Sequence, residues 1–261
     1  MTKTSVAALI ALLAVLPAFG AARADTARLT VGQPLARFDR LKPGVHRYLR
    51  YKVEGDKRTA IDIWVRAVRF ETQAGQPRLH LTQRWDELSG PVPWLVQDSW
   101  FERGTMRPLT HVRNLVRDGA PQVGGYAFHS DRITGIADLP QNSQKDFEIA
   151  SPEPAYNFEY DMELLQALPL ARGYAADIVF YDPGRSPPAH YLFKVEGEDE
   201  VAGPDGRKVP CWLVTADYNT GKVVSRFWFA KGSQVMIREE SAQPDGAVLV
   251  KTLLSPEAGD A

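Results

Sequence analysis

Cysteine is nearly missing from this chain of 261 residues, in which Cys211 is the single example. One cysteine cannot form an intramolecular disulfide, and a chain of this length can bury a sufficient core without one. Cys211 lies between Pro210 and Trp212 at the start of a strand pattern, so the sequence predicts a small core residue rather than a nucleophile. The fold must therefore depend on packing and hydrogen bonding.

Catalytic and metal-binding patterns are missing as well. No two of the five histidines stand four residues apart, as zinc-binding histidines on a helix do. The sequence contains no phosphate-binding loop, no dinucleotide glycine pattern and no G-x-S-x-G elbow. His129, Ser130 and Asp131 are triad residue types, but neighbours along a strand point to opposite faces. We therefore predict no catalytic residue, no metal site and no cofactor.

An excess of either charge is also missing. The chain has 31 basic and 32 acidic residues, for a formal net charge of -1. Residues 1–24 contain Lys3 and Arg23 and no acidic residue, so their removal gives -1 - 2 = -3. This balance argues against a nucleic-acid partner and offers no electrostatic basis for binding to anionic membranes.

Long apolar runs are confined to the N-terminus. Lys3 precedes an apolar stretch at 6–16, and Ala22-Arg23-Ala24 provides the small residues of a cleavage site. The apolar stretch is too short to span a bilayer comfortably. We predict that residues 1–24 form a signal peptide and that the mature protein is periplasmic and not membrane-spanning.

The rest of the chain consists of short β-branched and aromatic runs separated by turns rich in Asn, Asp, Gly and Pro. The clearest series is 211–254, which predicts consecutive antiparallel strands. We predict a mainly β fold, in which a strongly curved antiparallel sheet, a half-barrel or barrel, surrounds one short central helix. A single β-rich domain should cover 25–254, followed by a flexible tail at 255–261.

One predicted strand changes its apolar phase. Ile61, Ile63 and Val65 lie on one face, whereas Val68 and Phe70 lie on the other. A one-residue phase shift inside a strand is typical of a β-bulge, which we place after residue 67.

A single helical pattern interrupts the strands at 158–169. Asn157 is the predicted N-cap, and Glu159 and Asp161 place negative charge in the first turn. Pro169 ends the pattern. The apolar stripe that should face the sheet consists of Met162, Leu165 and Leu168.

Two hairpin patterns repeat within the chain. The segment 100–105, WFERGT, matches 228–233, WFAKGS, at an offset of 128 residues. Any two hairpins share some of this pattern, but an Asp-Gly turn follows downstream of both segments. We infer a weak internal duplication with related halves at about 45–150 and 155–254.

Residues 155–254 resemble the exported bacterial DUF3108 family. The resemblance is carried by LLQALPLARGY at 164–174, FYD at 180–182, the V-x-G-x-x-x-V strand at 195–201, W-x-V at 212–214 and FWF at 227–229. That family in turn resembles the lipoprotein-carrier (LolA/LolB-like) fold. The resemblance implies a curved half-barrel wrapped around helical material, with an apolar interior, and supplies no catalytic residues.

The six tryptophans allow two interpretations. Aromatic residues commonly fill sheet cores and form cross-strand pairs, but some also line the cavities of β-barrel binding sites. In each Trp-Phe pair of the repeated hairpins, only one ring can face inward. The predicted ligand-binding residues of an apolar interior are Met162, Leu165, Leu168, Trp100, Trp228 and Trp64.

Three functions compete on this basis. The first is a non-enzymatic periplasmic binding or carrier module for a lipid-like or other apolar ligand. The alternative is a structural or assembly protein of the envelope that acts through contacts with another envelope protein. The third is a hydrolase, which would need acidic or Ser and His groups converging from different strands.

Overall fold

A computed structural model of the chain describes residues 26–88, 93–117, 119–184, 187–221 and 223–258. The predicted signal peptide lies outside these ranges. In the described part of the chain, no helix has the length and apolar character that crossing a membrane requires.

The described residues form sixteen strands of one sheet and one α-helix, which confirms the mainly β class. The strands are β1 Ala27–Arg28, β2 Gly44–Glu54, β3 Lys57–Gln73, β4 Gln76–Glu87, β5 Pro93–Glu102, β6 Pro108–Arg117, β7 Ala120–Phe128, β8 Arg132–Gly135, β9 Glu148–Ala150, β10 Tyr156–Asn157, β11 Ala175–Tyr181, β12 Ala189–Ala202, β13 Lys208–Ala216, β14 Ser225–Ala230, β15 Met236–Ala242 and β16 Val248–Ala258. The helix α1 is Asp161–Gln166, and 3-10 turns lie at Phe38–Arg40 and Phe158–Tyr160.

The sheet is built almost entirely from neighbours in the chain. Strands β2 to β9 follow one another, strands β11 to β16 do the same, and pairing of β16 with β2 joins the two series. All pairs are antiparallel except those of the two-residue strands β1 and β10 with β11, which are parallel. The predicted antiparallel sheet is therefore confirmed, with two short parallel additions.

The two sides of the curled sheet meet through side chains. Tyr126 and Phe128 of β7 contact Tyr181 of β11, with ring centroids 6.2 and 6.1 Å apart. The Arg113 side chain donates a hydrogen bond to the carbonyl of Pro183 at 3.2 Å. No strand ladder joins β7 to β11 in the described ranges, so the barrel closes here by packing.

Strand β3 turns polar residues toward the interior. Asp62, Trp64 and Arg66 are buried, whereas Ile61 is 40% exposed. The register of β3 with β4 continues without a shift past Ala67, and the irregularity in its ladder with β2 falls at Ile61. The predicted bulge after residue 67 is therefore wrong, because the inward phase carries charged residues that have partners inside.

The helical segment crosses the interior of the sheet. The Asn157 side chain accepts a hydrogen bond from the backbone N–H of Glu159 at 3.1 Å, as an N-cap should. The first predicted turn is 3-10 and the α-helix ends at Gln166, so the regular helix is shorter than the predicted 158–169. All six residues of α1 are buried, including its three polar side chains.

A buried ion pair joins β3 to the helix. The Arg66 guanidinium binds both carboxylate oxygens of Glu163, with the Nε–Oε1 distance at 2.8 Å. Arg66 also donates to the Gln83 side chain at 2.6 Å and to the Glu159 carbonyl at 3.1 Å. These bonds satisfy a charge that burial would otherwise penalise heavily, and they fix where the helix lies across the sheet.

The two repeated hairpin turns adopt the same backbone structure. Met106 and Gln234 are equivalent, since 234 - 106 = 128, and both have left-handed backbone, with φ of 54° and 59°. Each donates its N–H to the carbonyl four residues earlier, at Glu102 and Ala230. In both, the ladder shifts register directly after the tryptophan.

The last strand extends beyond the segment that the sequence assigns to the domain. Pro256, Glu257 and Ala258 pair with the start of β2, after a register shift that follows Leu253. Part of the predicted tail at 255–261 therefore belongs to the sheet. Backbone pairing of this kind requires no apolar pattern, so the sequence of this segment does not indicate it.

Candidate functional site

The apolar side chains of the helix fill the middle of the barrel. Met162, Leu165 and Leu168, predicted to line a ligand site, are buried in the main core together with rings of the surrounding strands. Tyr160, at the start of the helical segment, packs on Phe101 with ring centroids 4.1 Å apart. Two clefts lie at the two ends of the helix.

The tryptophans of the repeated hairpins lie opposite the core phenylalanines. Phe101 and Phe229 are fully buried. Trp100 is half-buried and stacks on His80, with centroids 4.0 Å apart. Trp228 is buried and donates its indole N–H to the exposed carboxylate of Asp199 at 2.8 Å. Neither tryptophan lines the clefts described below, whereas Trp64 lines one of them.

The first cleft, of about 640 Å³, lies beside the N-terminal end of the helical segment. We call it the acidic cleft. Its aromatic lining is Trp64, Trp85, Phe158, Tyr191 and Tyr218. Its carboxylates are Glu159, Asp161, Asp182 and Glu239, and its cations are Arg50 and Lys251.

Three rings of the acidic cleft form a corner. The centroid distances among Phe158, Tyr191 and Tyr218 are 5.4 to 6.0 Å, and their planes meet at 59° to 69°. Tyr218 reaches this position from a tight turn in which it has a φ of 49°. The Asp217 side chain stabilises the turn by accepting the N–H of Asn219 at 3.0 Å.

Two carboxylates of the acidic cleft lie at the first helical turn. Burial raises the pKa of Asp161 to about 7, the nearby Lys251 lowers this pKa, and the charge of Glu239 raises it. Burial also raises the pKa of Glu159. Both side chains were expected at the helix start, but the structure desolvates them.

Both cations of the acidic cleft already have partners. Arg50 forms two bonds to the buried carboxylate of Asp62, at 2.6 and 2.5 Å. Lys251 Nζ lies 2.7 Å from Glu239 Oε2, close but without the alignment of a hydrogen bond. The same ammonium group is 4.8 Å from the centroid of the Trp64 ring.

The second cleft, of about 720 Å³, lies beside the C-terminal end of α1. We call it the apolar cleft. Its walls are Pro43, Pro204, Val209, Val235, Ile237 and Leu253. Gln166 of α1 lies at its base and donates to the carbonyls of Arg40 and Ser233 at 3.3 and 3.4 Å.

The rim of the apolar cleft carries Arg40, Lys42 and His46. Arg40 is held in place by a hydrogen bond to the Gly232 carbonyl at 2.9 Å. Burial lowers the pKa of His46, so this ring is neutral near pH 7. Asp205 also lies on the lining, but its carboxylate binds Arg207 at 2.5 Å. The rim is therefore positive.

Sequence reasoning missed most residues of both clefts. Lys42 and Val235 lie about 190 residues apart in the chain, and no local pattern connects them. A partial signal existed for the acidic cleft, because Glu159 and Asp161 alternate with the aromatic residues Phe158 and Tyr160 at the helix start. The described residues contain no group of three or more side chains arranged to hold a metal ion.

Comparisons with known proteins identify the family. None of the curated proteins matches the chain. A crystal structure of a beta-barrel-like protein of domain of unknown function DUF1849 from Brucella abortus is similar, with a TM-score of 0.55 at 13% identity over 84% of this chain and 99% of that chain. This likeness shows the fold alone. The family described as protein of unknown function (DUF3108) matches residues 45–250, and the chain therefore belongs to the DUF3108 family.

Proposed function

We propose that this protein is a non-enzymatic periplasmic carrier for a single-chain amphiphile with an anionic headgroup, which binds in the apolar cleft. The observation that carries the proposal is an apolar cleft with a positive rim. The predicted signal peptide supports the location, and a mature N-terminus at Asp25, determined by mass spectrometry of the exported protein, would test it. Recovery of only the uncleaved chain would contradict that location.

The walls of the apolar cleft suit an acyl chain. Val209, Ile237 and Leu253 come from three strands, Val235 comes from the turn before β15, and together they leave a space of about 720 Å³. Small-molecule sites usually fall between about 300 and 1,000 Å³. Each buried methylene group contributes about 0.8 kcal/mol, so a chain of modest length gives substantial affinity.

The rim suits a carboxylate or another anion. Lys42 is exposed and makes no ion pair within the described residues, so its ammonium group can meet a headgroup. Arg40 presents a second positive charge whose position is fixed by its bond to Gly232. The anion would remain partly hydrated at this rim, which limits the cost of its desolvation.

The test is a fluorescence displacement titration with dodecanoate and, for comparison, 1-dodecanol. We expect Lys42→Glu to weaken dodecanoate binding about tenfold, equivalent to ~1.4 kcal/mol, and to leave dodecanol binding unchanged. Val235→Asp should weaken both ligands, because it places a charge on the apolar wall. Val235 is partly exposed, so this variant should still fold.

Two matched controls accompany these variants. Lys145→Glu makes the same charge change at an exposed site outside both clefts, and Val224→Asp makes the same apolar-to-acidic change at an exposed valine. Neither should alter binding. Failure of the unaltered protein to bind dodecanoate, or equal losses in Lys42→Glu and Lys145→Glu, would overturn the proposal.

A further inference from the structure

The acidic cleft contains carboxylates that its cations do not neutralise. Arg50 and Lys251 are occupied by Asp62 and Glu239. Glu159 and Asp161 form no ion pair within the described residues, although both line the cleft. When Asp161 is ionised, above its pKa of about 7, the cleft therefore has negative charge left over for a ligand.

Asp161 is the carboxylate best placed to meet a ligand. It is 9% exposed, and its Oδ1 accepts a hydrogen bond from the Met162 backbone at 2.8 Å. Its Oδ2 has no hydrogen bond among the described residues, while the side chain lines the open cleft. Oδ2 is therefore free to accept from a ligand in the cleft, and a bound cation would pair with the charge of this carboxylate.

The aromatic corner lines the same cleft as this carboxylate. Burial raises the pKa of Tyr218 well above its usual range, and the charges of Asp161 and Glu239 raise it further. Phe158 and Tyr191 complete the corner at steep angles. Several rings beside a carboxylate attract organic cations through their negative faces.

The chain provides an internal example of this recognition. The Lys251 ammonium group lies in the same cleft, 4.8 Å from the Trp64 ring centroid and 2.7 Å from Glu239. One ring and one carboxylate therefore already bind an ammonium group here. The corner and Asp161 offer a second position of the same chemistry, where no cation of the described residues forms an ion pair with the carboxylate.

We propose that the acidic cleft binds a small organic cation through its substituted ammonium group, which lies between Asp161 and the corner of Phe158, Tyr191 and Tyr218. This site is separate from the apolar cleft and does not depend on the proposed carrier function. The aromatic corner favours an alkylated ammonium group over an inorganic cation, because the inorganic cation loses more hydration free energy when ring faces replace its water.

Isothermal titration calorimetry with choline tests the proposal. The comparison ligand is 3,3-dimethyl-1-butanol, which has nearly the same shape without the charge. We expect choline to bind at least about tenfold more tightly, equivalent to ~1.4 kcal/mol. Asp161→Asn should weaken choline binding about tenfold and leave the neutral alcohol unaffected, whereas Tyr218→Leu should weaken choline without changing its dependence on pH.

The dependence on pH provides a second readout. Affinity for choline should increase from about pH 5.5 to pH 8 as Asp161 ionises, and Asp161→Asn should flatten this profile. The charged groups that act on Asp161 are Lys251, Glu239, Arg66 and Glu163, and all four remain in that variant.

The controls separate a binding defect from misfolding. Asp146→Asn makes the same change at an exposed position outside the clefts and should bind choline normally. Circular dichroism and thermal melting should show that the variants are folded. Equal affinity for choline and its neutral analogue, no choline binding, or normal choline binding by Asp161→Asn at pH 8 would each overturn the proposal.

Discussion

The two clefts lie at opposite ends of one short helix and share the curved sheet as their wall, yet their chemistry differs. The acidic cleft combines rings with buried carboxylates, whereas the apolar cleft combines aliphatic walls with a positive rim. Between them the core is filled by Met162, Leu164 and Leu165. A barrel of this kind can therefore offer two distinct sites without an open central cavity, because each end of the helix exposes a different set of strand residues.

The strongest way to break this comparison is to loosen the helix that separates the two clefts. We expect Glu163→Gln to lower the free energy of unfolding by about 3–5 kcal/mol, because it leaves the Arg66 guanidinium buried without its counter-charge. Urea denaturation measures this loss. Choline and dodecanoate binding should decline together, unlike the effects of variants within one cleft.

A double variant is the control for this loss. Arg66→Met combined with Glu163→Leu removes both charges and should recover most of the stability, since buried ion pairs are often replaceable by apolar residues. Glu148→Gln, at an exposed strand position, should have almost no effect. Equal stability of Glu163→Gln and the unaltered protein would show that the ion pair does not hold the helix.

The next effect distinguishes the clefts by their response to pH. The pKa of Asp161 is about 7 in the folded protein, above its usual 3.8, so the folded state binds this proton more tightly than the unfolded state. Its contribution to stability is complete below about pH 4 and is lost as pH rises to about 7. Asp161→Asn should remove this loss, which is at most about 1.4 kcal/mol per pH unit.

Urea denaturation between about pH 4 and pH 8 measures this difference. Asp146→Asn should retain the profile of the unaltered protein. A profile for Asp161→Asn that runs parallel to that of the unaltered protein would show that Asp161 does not titrate in this range.

The smallest predicted effect is the pH dependence of stability due to His46 in the apolar cleft. Its sign is opposite to that of Asp161. Burial lowers the pKa of His46 below its usual 6.5, so the unfolded state binds this proton more tightly. Its contribution to stability is complete above about pH 6.5 and is lost as pH falls. His46→Gln should flatten this acid limb by well under ~1.4 kcal/mol per pH unit, because the ring is partly exposed.

His111 also contributes to the loss of stability at low pH. It does not affect the difference between His46→Gln and the unaltered protein. Burial lowers its pKa to about 3, so it destabilises the protein in acid in the same direction as His46. The difference between His46→Gln and the unaltered protein removes this shared contribution. A steeper acid limb in the variant would contradict the assignment.

Local features of the sequence were sufficient to predict the mainly β architecture. Alternating strands, turn residues and the Asn157 cap predict the sheet and the helix because each depends on neighbours in the chain. The interior charges were not predictable in this way. Arg66 and Glu163 are separated by 97 positions, so no local pattern connects them, and Arg66 lies on the strand face opposite Ile63 and Val65. The clefts lie where strands distant in the chain come together, and the hydrophobic periodicity of a segment does not predict contacts between distant strands.

The matched hairpins have a consequence for the order of folding during synthesis. The first turn accepts a hydrogen bond from the Tyr160 hydroxyl at the Met106 carbonyl, at 2.6 Å, and in the second turn Gln234 donates to the Leu168 carbonyl at 2.8 Å. The helical segment leaves the ribosome after the first hairpin and before the second. Its N-terminal end can therefore dock on the first hairpin as soon as the helical segment is synthesised. Its C-terminal end can dock only after the second hairpin has been synthesised.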